Sequence, residues 1–173
     1  MKKTTTEKIL ERLKFSGYSP KIIDHDPVIT MDDVVRTLDI PVASMAKTIL
    51  LYQKEIGLIA VVLPGMSKVD YSKVANTLHV PQKTVKIAEQ KILTGFGLNS
   101  GDVCPFYEFF QKTIVDTALL TQQFVYCGSG NPRKTIMISS QEMVNATVAT
   151  VMDVSQIVSA INNLTQTKGG RNE

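Results

Sequence analysis

Two apolar runs constrain the fold of this chain more than any other feature. Leu58-Ile59-Ala60-Val61-Val62-Leu63 has no polar residue, and Lys47-Thr48-Ile49-Leu50-Leu51-Tyr52 stands just before it, with Gly57 between the two. Short apolar runs rich in β-branched residues and bounded by turn signals predict strands. A glycine between such a pair predicts a hairpin. Without a polar face the hairpin is expected to be buried. Pro64-Gly65 closes it.

The flanking sequence supplies cover. Thr4-Thr5-Thr6-Glu7 has capping-box spacing and leads into an apolar stripe of Ile9, Leu10 and Leu13, with Gly17 as a stop. Thr30-Met31-Asp32-Asp33 predicts a second helix start with Val34, Val35 and Leu38 facing inward. Asp70 predicts the cap of a helix bearing Tyr71, Val74, Ala75 and Leu78. Ser139-Ser140-Gln141-Glu142 opens another helix, and a last helical pattern covers roughly residues 155–164. Short strands are expected at Lys21 to His25, Thr84 to Ala88, Ile114 to Asp116, Phe124 to Tyr126 and Thr135 to Ile138. Between Thr94 and Gln111 the chain reads as one long glycine-bearing loop, and a loop of that length in a compact domain is usually functional. There is no internal repeat and no linker. The expected class is α+β, a single compact domain over residues 1–165 with a mixed barrel-like β-sheet and flanking helices. A tail is expected over residues 166–173.

Composition narrows the function. With 173 residues, 43% apolar and 20% charged, the chain can build a core without disulfides or a structural metal. No apolar run approaches the roughly 18–20 residues needed to span a membrane, and the N-terminus lacks the apolar segment of a signal peptide. Two cysteines, Cys104 and Cys127, suit a reducing compartment, so a cytoplasmic location is expected. A net charge of +3 permits contact with a polyanion without the dense basic stripe expected of a DNA-binding protein. His25 and His79 are the only histidines, with no metal-ligand spacing, so neither a metal nor a cofactor is expected. Gly128-Ser129-Gly130 is not a nucleophile elbow, and no phosphate-binding glycine loop is present. Cys104 has no histidine placed beside it by any motif and reads as a small buried or loop residue. Two features remain. Lys47 heads an otherwise apolar strand, and on pattern alone is a solvated strand-end lysine. Gly101-Asp102-Val103-Cys104-Pro105, in the long loop, is on pattern alone a turn.

The order of these segments resembles the YbaK/ProX family of aminoacyl-tRNA deacylases, which includes the editing domain inserted in bacterial prolyl-tRNA synthetases. The matching set is His25-Asp26-Pro27, Lys47-Thr48, Leu63-Pro64, Lys68-Val69-Asp70, Thr94-Gly95-Phe96, Gly101 to Pro105, Val115-Asp116 and Gly128-Ser129-Gly130. The chain differs from cysteine-specific members at Ile23, where they carry tyrosine, and over Asn131-Pro132-Arg133-Lys134-Thr135. The resemblance implies hydrolysis of the ester joining a small amino acid (alanine, cysteine or serine class, proline tRNA included) to the end of a tRNA. It implies a catalytic role for Lys47. It implies substrate binding by His25, Gly101, Asp102, Val103, Cys104, Pro105, Asp116, Gly128 and Gly130. The implied partner is the acceptor end of aminoacyl-tRNA, with a synthetase as a further partner and neither DNA nor membrane. A non-catalytic module of the same fold that binds tRNA or a synthetase is the alternative, and a small-molecule-binding protein is a third reading.

Overall fold

The computed structural model describes residues 3–98 and 103–156. The hairpin forms as the sequence predicts. Strand β2 (Ala46–Gln53) pairs antiparallel with β3 (Gly57–Pro64), in a register that sets Lys47 opposite Leu63 and Leu50 opposite Ala60. Gly57 takes a φ of +100°, which a side chain would strain. The Gln53 side chain braces the same turn, its Oε1 accepting from Glu55 N–H at 2.7 Å and Ile56 N–H at 2.8 Å.

Every residue from Leu58 to Leu63 is buried because both faces of this sheet are covered. β1 (Lys21–Asp24), β4 (Lys68–Val69), β5 (Lys86–Ile87), β6 (Lys112–Asp116), β7 (Phe124–Gly128), β8 (Lys134–Ser139), β9 (Thr150–Met152) and β10 (Ser155–Gln156) complete the strands. They form a five-stranded mixed sheet β5-β2-β3-β6-β9, a three-stranded antiparallel sheet β1-β8-β7 and a small β10-β4 pair. On one face of the five-stranded sheet, Ile59, Val61, Leu63 and Ile114 pack against Val74 and Ala75 of α3 (Tyr71–Leu78). On the other, Val62 and Val115 share a core with Val125, Ile136 and Ile138 of the three-stranded sheet. Helices α1 (Thr5–Phe15) and α5 (Ser140–Thr147) close that second core through Ile9, Leu13 and Met143. The two large sheets touch edge to edge through a single bridge, Met45 to Tyr126, so the sheet is barrel-like without being continuous.

The caps follow the sequence. Thr4 and Glu7 form a reciprocal capping box, Asp70 accepts from Ser72 and Lys73 N–H, and Ser139 accepts from Glu142 N–H. Other expectations are corrected. α2 (Met31–Thr37) has its Thr30–Asp33 capping box, and Leu38 just past its end is buried as expected, but Val34 faces a cavity and Val35 is exposed, because this helix covers a cavity rather than the core. Residues 84–88 form a strand only at Lys86–Ile87, since a 3-10 turn at Gln82–Thr84 occupies the start. A short helix, α4 (Gln90–Gly95), opens the supposed long loop. The described residues after it are well packed, with Cys104, Pro105 and Phe106 buried and Phe96, Tyr107, Phe109 and Phe110 joined by ring contacts. Ser155 and Gln156 pair with β4 instead of starting a helix; the rest of that expected helix, and the expected tail, lie outside the described residues. Among the described residues no helix is long and apolar enough to cross a membrane.

Candidate active site

The edge of β2 opposite β3 explains where a cavity can form. Along that edge Met45 is bridged to Tyr126, Leu50 C=O accepts from Ala88 N–H at 2.9 Å, and Leu51 and Tyr52 pair with β5. Between these points, residues 46–49 have no strand on this edge among the described residues. Backbone groups alternate along a strand, so those of Ala46 and Thr48 face the same side as Leu50 C=O.

A cavity of about 380 Å³ occupies this gap. One wall is β2 from Met45 to Leu50. Another is the turn from Tyr126 to Pro132, with Lys134 and Thr135. Met31 and Val34 of α2 cover it, and Ala88, Gln90, Leu93 and Val103 close the end. The size and mostly apolar lining, with a few convergent polar groups, are those of a small-molecule site.

Lys47 lines this cavity. It is half-buried and has no hydrogen-bond or ion-pair partner among the described residues. Burial is the larger cause that holds its pKa below the ordinary lysine value, and the neighbouring Lys68 charge is the smaller. An unpaired, partly desolvated ammonium beside a second cation is a receptor for an anion or a developing oxyanion. On the opposite face of the strand, the Thr48 Oγ1 is buried without a partner among the described residues. Buried polar atoms are nearly always satisfied, so this one marks a place where a ligand group or water belongs. Threonine is common in strands, so nothing in the sequence set Thr48 apart except its polarity in an apolar run.

Val103, Gly128 and Gly130 also line the cavity. Ser129 lies between the glycines, but its hydroxyl is engaged in the turn, donating to Lys134 C=O at 2.6 Å. His25 reaches the cavity indirectly. Its Nδ1 lies 2.7 Å from Asp26 C=O and its Nε2 lies 2.9 Å from the Oγ1 of Thr135, which lines the wall. A carbonyl only accepts, so Nδ1 carries the proton and, in the neutral ring, Nε2 accepts from the Thr135 hydroxyl.

Three expected substrate residues stand elsewhere. Cys104 is fully buried in the core shared with α1, and burial pushes its thiol pKa up to about 12, which removes the thiolate a nucleophile needs. Pro105 is buried beside it. Asp116 is 1% exposed, and both oxygens are taken up inside the fold: Oδ1 accepts from Ala118 N–H and Oδ2 from Val154 N–H, each at 2.9 Å. Each oxygen is thus engaged by a backbone donor. Gly101 and Asp102 lie outside the described residues. Asp116→Asn would leave an amide N–H₂ facing a backbone donor, and is expected to cost about 1–3 kcal/mol of stability. The reaction rate per folded molecule should stay level. A denaturant melt and an activity measurement on the same preparation check this; a slow but fully stable variant would return Asp116 to the site. Among the described residues no cluster of histidine, cysteine and carboxylate side chains could hold a metal ion.

The fold and cavity thus define an α+β domain with a lysine-bearing, largely apolar cleft at a gap between two sheets. The aminoacyl-tRNA editing domain matches residues 25–146, most of the chain and every residue that lines the cavity. The chain belongs to this family, the YbaK/ProX family. Three solved structures share the fold. A hypothetical protein superimposes with a TM-score of 0.76 at 26% identity, over 86% of this chain and 99% of its own. A proposed trans-editing enzyme for prolyl-tRNA synthetase gives 0.76 at 18% identity, over 90% and 99%. A scaffold protein from computational epitope grafting gives 0.75 at 17% identity, over 91% and 100%. No curated protein matches the sequence.

Proposed function

We propose that this protein is a trans-editing aminoacyl-tRNA deacylase, which hydrolyses the ester between a small amino acid and the terminal ribose of a mischarged tRNA. The observation that carries the reading is Lys47, half-buried in the cavity wall of an editing-domain protein and without a side-chain partner among the described residues. The similarity to a proposed trans-editing enzyme for prolyl-tRNA synthetase agrees with it and makes proline tRNA the first acceptor to test.

The chemistry asks little of side chains. Water adds to the ester carbonyl carbon, the carbon–oxygen bond to the ribose breaks, and the ribose oxygen leaves with a proton. The ester is already activated, so holding it and stabilising the oxyanion account for most of the acceleration. Lys47 in its charged form supplies the stabilisation. The backbone edge of β2 supplies polar contacts that orient the aminoacyl group. No nucleophilic side chain is required.

Selectivity follows from size. Met45, Leu50, Leu93 and Val103 give the cavity apolar walls that exclude bulky side chains sterically. They discriminate poorly among alanine, serine and cysteine, since one methylene is worth only about 1–3 kcal/mol. Proline tRNA charged in turn with alanine, serine, cysteine, proline and phenylalanine tests this. Turnover should favour the three small residues. Equal release of phenylalanine would contradict the pocket assignment, and tight binding of every species without release would favour the non-catalytic module.

A further inference from the structure

We propose that helix α1 is a working part of the site, with Arg12 as a positioning residue for the cavity wall. This rests on the editing reading above. α1 precedes residues 25–146 of the editing-domain match, yet it is bonded to both segments that meet at the end of the cavity. Thr6, 3% exposed, donates from Oγ1 to Ser129 C=O at 3.1 Å, between the two cavity glycines. Arg12 donates from Nη2 to Phe106 C=O, three residues beyond Val103, and its Nη1 lies 2.6 Å from Glu108 Oε2. Those two segments are in direct contact, since a Cβ on Gly128 would stand 2.6 Å from Val103 C=O. The helix therefore acts as a rigid strut, with Thr6 and Arg12 about 9 Å apart along its axis. Beneath it Ile9 and Leu13 pack with Cys104, Phe106 and Cys127.

The carbonyl bond carries more of this role than the ion pair. Glu108 is 75% exposed, and exposed pairs contribute little. The bond to Phe106 C=O has a charged donor and fixes backbone, and it draws the 103–108 segment against the turn that ends β7. Without it the segment keeps its apolar anchors but loses its set position relative to Lys47.

Arg12→Met keeps the aliphatic stem and removes both polar contacts; Glu11→Gln, on the exposed Lys3 pair of the same helix, is the control. Amide hydrogen exchange on the protein alone should rise in residues 103–110 for Arg12→Met and nowhere else. On a mischarged tRNA, kcat should fall roughly 10- to 100-fold, the scale of an ångström-sized misplacement, with KM changing less. Arg12→Lys retains one donor and should recover most of both losses, which also serves if Arg12→Met folds poorly. Exchange in 103–110 identical to wild type would overturn the proposal whatever the turnover. So would raised exchange with an unchanged kcat per folded molecule. The exchange measurement needs no substrate, so an inactive wild-type protein would remove the editing reading separately.

Discussion

Lys47→Ala should lower deacylation by about 10²–10³-fold, the loss typical of removing one electrostatic stabiliser, while the protein stays folded. The backbone pairing of Lys47 with Leu63 is untouched by the change. The ammonium has no partner among the described residues, so its removal leaves no orphaned carboxylate behind. The pH profile carries a second signature. Burial and the Lys68 charge hold the Lys47 pKa below 10.5. If the charged form stabilises the oxyanion, the rate should fall as pH rises through that lowered value, earlier than an ordinary lysine titrates. Lys68→Met removes the like charge, so the alkaline limb should move to higher pH. Stability has the opposite slope. Between the lowered pKa and 10.5 the unfolded chain binds more protons than the folded one, so this group makes stability rise with pH across that window. Rates measured against pH, with protein-free hydrolysis subtracted, check the assignment. A limb unmoved by Lys68→Met, or near-normal turnover by folded Lys47→Ala, would remove Lys47 from the chemistry.

Gly128→Ala is the second large expected effect. Gly128 does not have a positive φ, so backbone strain is not the reason. The reason is space: the new Cβ would lie 2.6 Å from Val103 C=O and 3.6 Å from its carbonyl carbon, and a backbone atom cannot swing aside as a side-chain tip can. One of the two cavity segments must move. Overpacking of this kind costs about 1–3 kcal/mol, and the displacement falls where Val103 meets the cavity. Both thermal stability and kcat should drop, with kcat per folded molecule down by one to two orders of magnitude, about the cost of a 1 Å misplacement. Gly17→Ala, with no atom within 4 Å of its Cβ and a φ of +85°, is the contrast: strained just past the end of α1 and outside the cavity lining, it should lose stability alone. Equal kinetics in the two variants would show that the approach of Val103 to Gly128 does not matter to the reaction.

Local signals explain which elements could be read from sequence. The buried hairpin announces itself because β3 lacks a polar face, and a sheet covered on both sides allows none. Thr4, Asp70 and Ser139 announce helix starts because a cap is a contact between near neighbours. α2 was legible as a helix but not as a cover, since periodicity shows that a face is apolar and not whether a core or a cavity lies beneath it. α4 is hidden by Gly95 and Gly97, which lower helix propensity around a six-residue element. In the site, Lys47 reads on pattern alone as a solvated strand-end lysine, and only the family resemblance sets it apart. Asp116 shows the limit of such a reading. It also closes an apolar strand, but its partner Val154 lies 38 residues on, and that bond decides its role. The approach of Val103 to Gly128, and the bonds from Arg12 and Thr6, are likewise long-range contacts with no sequence signature.

The most direct test of the account is amino-acid release under multiple turnover. Purified protein, at a concentration well below that of proline tRNA mischarged with alanine, should release many equivalents of alanine per molecule and leave intact tRNA. Lys47→Ala should reduce that release towards the protein-free rate. Binding of the charged tRNA by the wild-type protein with release no faster than in its absence, across alanine, serine and cysteine, would contradict the account and leave this fold a binding module.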